Sequence, residues 1–149
     1  MKSASTGPEG FGGWLLLIAI GQWLGVFGAL VQLLLELPGY VSQWGDPSTR
    51  RAVIGDAGLD VAMLAFMFYV TVMMSMKRRE FPTLFRIQLA LLVVVPLLST
   101  WWTSFSTGKP LESLDFTATA VNAVIATIGA SLSILYSLRS QRVRNTFIY

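Results

Sequence analysis

The stretch G-D-A-G-L-D-V-A-M-L-A-F-M-F-Y-V-T-V-M-M-S-M-K, residues 55 to 77, holds two carboxylates four residues apart and then no charge until its final lysine. Side chains four apart share a helix face, so Asp56 and Asp60 stand on one side of the same element if the run is helical. Only 16 residues separate Asp60 from Lys77. At ~1.5 Å each they cover ~24 Å of helix, less than the ~30 Å hydrocarbon core of a bilayer. The run therefore reads as a membrane span, and the length deficit puts Asp60 at or slightly inside the hydrocarbon boundary.

Three more stretches behave the same way. No charged residue occurs between Glu9 and Glu36, between Arg86 and Lys109, or between Asp115 and Arg139, and each gap is close to the ~20 residues a helix needs to cross the membrane. Across 149 residues the chain is 54% hydrophobic and 13% charged, well away from a soluble domain. Backbone groups in lipid must be satisfied within the segment, which selects helices over strands. The expectation is one all-α membrane domain, a compact bundle of four transmembrane helices at about 12–35, 56–76, 85–102 and 115–138, with a tail at 139–149. The first apolar run is longer than a signal-peptide core and lacks an A-x-A-like site, so it is read as a retained span.

Positive charge accumulates on cytoplasmic segments. Lys2 precedes the first span, Lys77, Arg78, Arg79 and Arg86 fall between the second and third, and Arg139, Arg142 and Arg144 follow the fourth, whereas the other two connections hold Arg50, Arg51 and Lys109. Both termini are expected on the cytoplasmic side. Glu36, Asp46, Asp56, Asp60, Glu112 and Asp115 then fall on the outer side. Within the first outer connection, roughly Leu37 to Gly55, Asp46 followed by Pro47 has the form of an N-cap and first helical residue, predicting a short surface helix that ends near Gly55.

The chain has no cysteine and no histidine. Thiol–disulfide chemistry is excluded, and haem or zinc sites lose their usual ligands. No metal, no other cofactor and no nucleic-acid partner is expected. The I-G-D at residues 54–56 approaches the G-x-G-D signature of intramembrane aspartyl proteases, but Val53 occupies the first glycine position and no Tyr-Asp partner exists. A small multidrug exporter fits by length, yet that family works through a glutamate inside its first span, which here has no acid. No complete catalytic motif is present, and the expectation is not an enzyme.

Two helix faces carry small and polar residues. Gly21, Gly25, Gly28, Gln32 and Glu36 follow one another at steps of four and three along the first span, and Asp115, Thr119, Asn122, Ala126, Gly129 and Ser133 do so along the fourth. Gly21, Gly25, Gly28, Ala126 and Gly129 are expected to let helices approach closely, with both seams facing the bundle interior. Gln32, Asp60, Asn122 and Asp115 are the candidates for a polar cavity open to the outer face, since intramembrane polar groups mark pathways and sites. Asp56 and Asp115 are also explained as acids at helix N-termini. Pro96 predicts a kink in the third span.

Lys77, Arg78, Arg79, Arg139, Arg142 and Arg144 are placed to meet anionic headgroups or a partner. In the tail, Val143, Phe147 and Ile148 are expected to rest on the membrane interface. G-G-W-L at 12–15, K-R-R-E-F-P at 77–82 and R-V-R-N-T-F at 142–147 resemble small bacterial inner-membrane proteins of the domain-of-unknown-function family two-five-six-nine. The resemblance implies four spans with both termini inside and supplies no substrate, cofactor or catalytic residue. The expected role is association, with another copy or a larger membrane complex, through the glycine faces. The alternative is a small transporter or channel that uses the polar cavity around Asp60.

Overall fold

The computed structural model describes residues 13–111, 114 and 116–147, and within these the regular structure is helical throughout. Four helices are long and apolar enough to cross a membrane: α1 Trp14–Ser42, α2 Pro47–Ser75, α3 Phe81–Thr107 and α4 Phe116–Arg139, followed by the short α5 Gln141–Thr146. At ~1.5 Å per residue, the 29 residues of α1 and of α2 make each of them ~43 Å long, so they outreach a ~30 Å hydrocarbon core. The end of each away from α5 carries the polar residues described below.

The first connection is much shorter than the sequence suggested. Helix α1 runs through Pro38 to Ser42, and α2 begins at Pro47 behind the Asp46 cap, whose carboxylate accepts the Thr49 amide at 3.0 Å. The cap is as expected, but the helix does not stop near Gly55. A Cβ at Gly55 would overlap the Trp102 indole: the ring of α3 lies directly on the α2 backbone, so the glycine is a packing site inside one continuous helix. At the other end of α2, Lys77 adopts a positive φ of 53°, and the Arg78 amide reaches the Met73 carbonyl while the Lys77 amide reaches Met74, both at 3.0 Å. This is a Schellman ending with lysine in the left-handed position that glycine usually fills.

Packing follows chain order, α1 on α2, α2 on α3 and α3 on α4. The tightest part of the core is at the terminal end, where Leu15, Val70, Met74, Phe81, Phe85, Val143 and Phe147 form one buried cluster. Two of these residues come from the tail. The chain turns at Ser140, and α5 folds back so that Phe147 sits 4.6 Å from the Phe81 ring centroid, itself 5.3 Å from Phe85. Val143 and Phe147 therefore leave the interface assigned to them and complete the core, because only there can α5 cover the Phe81 ring. Ile148 is outside the described residues.

Above this cluster, Gln22 of α1 and Gln88 of α3 exchange amide hydrogen bonds of 2.6 and 3.1 Å, with both side chains buried. Toward the opposite end the buried apolar residues thin out to Ala52 and Val53. That end is penetrated by cavities.

Candidate functional site

The cavity-bearing end is assembled from all four long helices. On α1, Gln32, Glu36 and Tyr40 recur every four residues and so line one face, and the continuation of the helix past Pro38 is what brings Tyr40 onto it. On α2, Asp56 and Asp60 share a face for the same reason. Helix α3 supplies Pro96, Ser99 and Thr100. Together with Thr119 of α4 these residues enclose a cavity of ≈ 350 Å³.

The Tyr40 hydroxyl is at its centre. Its oxygen lies 2.9 Å from Glu36 Oε2, 2.9 Å from Asp60 Oδ2 and 3.4 Å from Asp56 Oδ2. Gln32 donates to Glu36 Oε1 at 3.0 Å, and Ser99 donates to Asp56 Oδ1. A phenol has one proton to donate, so three carboxylates compete for a single Tyr40 hydrogen bond. No lysine or arginine pairs with any of the three among the described residues; the ion pair found there is Arg79 with Glu80 at 3.5 Å, at the far end of the molecule. Nor do the carboxylates gather as a set that could hold a metal ion, among the described residues. They surround a hydroxyl, which suits exchange of protons better than multidentate coordination.

The cavity continues sideways. A second space of ≈ 200 Å³ shares Gln32, Glu36, Asp60 and Pro96 with it and extends between Ala29, Met63 and Met67. A third, of ≈ 250 Å³, shares Pro96 and Thr119 and is lined by Leu92, Asn122, Ala123 and Ala126. Pro96 borders all three. Of the four residues expected to line a polar cavity, the structure brings Asp60 and Gln32 together, puts Asn122 in the neighbouring space between α3 and α4, and leaves Asp115 outside the described residues.

Residues 8–148 match the model of a family described as Protein of unknown function (DUF2569). The chain belongs to this family. No curated protein and no solved structure matches it. Membership in DUF2569 accords with the four-helix architecture and leaves the site to be argued from its own residues.

In this DUF2569 chain the glycine seams differ from expectation. A side chain at Gly25 would meet Met67 at 3.4 Å, whereas Gly21, Gly28 and Gly129 have open space before them. The seams thus do not face the bundle interior along their length. The buried residues of α1 are Leu15, Gln22 and Val26; Gly25 borders this face beside Met67 of α2, and Gly21 and Gly28 fall outside it. Ala126 lines the α3–α4 space. Lys77, Arg78, Arg79 and Arg139 are exposed at the terminal end, while Arg142 and Arg144 lie on α5 with side chains outside the described set. Glu36, Tyr40, Asp56 and Ser99 line the cavity without being among the four residues expected there. For Tyr40 the signal is the four-residue step from Gln32 and Glu36, but it falls in the stretch from Leu37 to Gly55 expected to be a connection.

Proposed function

We propose that this protein is a small multi-pass transporter or channel whose acidic cavity takes up a proton, with Asp60 as the principal acceptor and Tyr40 as the group that links it to Glu36 and Asp56. The single observation that carries this reading is the set of three carboxylates around one hydroxyl donor, with no cationic partner among the described residues, in an open cavity at a helix end. Negative groups left without a counter-charge at a membrane boundary are costly unless a mobile positive species visits them. The positive-inside pattern supports an orientation with both termini cytoplasmic and the cavity facing outward, in a bacterial inner membrane, with the basic terminal end on anionic headgroups. On this reading the protein is not an enzyme.

The test is proton uptake into liposomes holding the purified protein, an internal pH-sensitive dye and a potassium-diffusion potential. Wild type is expected to acidify the interior, Asp60→Asn to abolish the signal, and Tyr40→Phe to reduce it. Uptake by Asp60→Asn equal to wild type defeats the proposal.

A second reading, association with another copy or a membrane complex, is supported by the open space before Gly21 and Gly28 on α1, where another helix could approach closely. Gly21→Leu combined with Gly28→Leu should then dissolve an assembly seen by cross-linking in native lipid. Persistence of the same assembly rules this contact out.

A further inference from the structure

We propose that the groove between α1 and α4 at the terminal end is a binding site for an anionic phospholipid of the surrounding membrane. The groove has a volume of ≈ 300 Å³ and is lined by Trp14, Ile18, Leu132, Ser133 and Tyr136. It exists because packing runs in chain order and leaves α1 and α4 loosely apposed.

Three of its five lining residues carry a side-chain donor: Trp14 Nε1, Ser133 Oγ and Tyr136 Oη. None of the three has a protein partner among the described residues. Thr71, Ser75, Thr100 and Thr107 on α2 and α3 and Thr127 on α4 each bond the carbonyl four residues back, and Ser137 the one three back, whereas Ser133, like Ser131 and Thr119 on the same helix, does not bond the described backbone through its hydroxyl. In a span, water is scarce and an unsatisfied donor is expensive. The groove therefore calls for an occupant that brings acceptors. Another apolar helix does not, because its carbonyls are already engaged.

The order of chemistry along the groove identifies that occupant. Leu132, Tyr136 and Arg139 stand at i, i+4 and i+7, one stripe of α4, and Arg139 is exposed at its end with no ion-pair partner among the described residues. On α1, Trp14 is 70% exposed at the helix start and Ile18 lies one turn deeper. Arg139 stands on the same stripe one turn beyond the groove's lining, and from there inward the groove offers indole, phenol and hydroxyl donors and then Ile18 and Leu132. A phospholipid presents the matching sequence of phosphate, ester oxygens and acyl chain.

The full-length protein, stripped of lipid in detergent and supplied with phosphatidylglycerol or phosphatidylcholine of the same acyl chains, is examined by native mass spectrometry. Wild type is expected to retain one phosphatidylglycerol per chain in preference to phosphatidylcholine, and Arg139→Gln to reduce that preference by about fivefold. Ser133→Leu, which fills the groove, should lose both lipids, whereas Arg50→Gln, exposed at the opposite end of α2, should behave as wild type. Should Ser133→Leu fail to fold, a photoactivatable phosphatidylglycerol on the wild-type protein decides the matter: label is expected on the segments holding Ile18 and Leu132, without competition from inorganic phosphate. Equal retention of the two lipids, label confined to other segments, displacement by inorganic phosphate, or a dimer that excludes lipid from the groove would each overturn the proposal.

Discussion

Gln22 and Gln88 each present a primary amide to the other across two helices in the apolar middle of the molecule. Paired, each amide satisfies one donor and one acceptor of its partner; with one member removed, the survivor is left buried without that partner. The cost of such an orphan is about 1–3 kcal/mol, more than the net worth of the pair. Gln22→Leu alone should therefore lower the unfolding free energy in mixed micelles by about 1 kcal/mol or more, and Gln22→Leu with Gln88→Leu by less than the sum of the two single changes. Additive losses would show that the amides contribute independently. This pair also marks the limit of what single residues disclose. A glutamine in an apolar run names no partner until the helices are packed, whereas Asp60 stands out in the sequence itself, through its short distance from Lys77 on a membrane-span reading. Tyr40 lies beyond the span expected at 12–35, in the stretch read as a connection, whereas α1 continues through Pro38 to Ser42 and brings it onto the cavity face.

Helices differ in how well their limits can be read. The start of α2 followed from the chemistry of Asp46 and Pro47, because a cap is a local interaction. Its continuation past Gly55 depends on Trp102, 47 positions later in the chain, which no local pattern reveals. Helix α5 is a similar case. Its alternation of arginines with Val143 and Phe147 suits a membrane surface equally well, and the choice was made by a vacancy beside Phe81 that only the assembled bundle creates. The two placements have different consequences. Phe147 is 6% exposed against the core and Phe105 of α3 is 71% exposed, so Phe147→Ala should cost on the order of 3 kcal/mol of stability while Phe105→Ala costs little. The Phe147→Ala loss should persist in neutral as well as anionic lipid, as judged by thermal unfolding in nanodiscs of each composition. A loss seen only in anionic lipid would return α5 to the membrane surface.

The molecule as a whole is asymmetric along its long axis: apolar side chains and α5 fill the terminal end, the amide pair crosses the middle, and the acidic cavity opens the opposite end. Transport through such a body requires water to reach the carboxylates from one side and to be stopped at Gln22 and Gln88. Because the chain contains no cysteine, single cysteines can report this directly, with a membrane-impermeant thiol reagent applied to either face of cells or oriented vesicles. A cysteine at Lys109, in the connection between α3 and α4, should be modified from the outer face, and one at Arg79, in the α2–α3 turn, from the cytoplasmic face; the opposite result would invert the orientation that the charge pattern supports. Within the bundle, a cysteine at Thr100 or Gln32 should react from the same side as Lys109, as both line the open cavity, whereas one at Gln88, 1% exposed, should resist the reagent from either side. Imposing a proton gradient tests the mechanism further. If the cavity serves transport, conditions that drive uptake should make the Gln88 position react from the cytoplasmic face while Thr100 becomes protected, since a site must lose access on one side as it gains it on the other. Reactivity unchanged by the gradient at both positions would leave the carboxylates as a fixed outer feature and exclude alternating access.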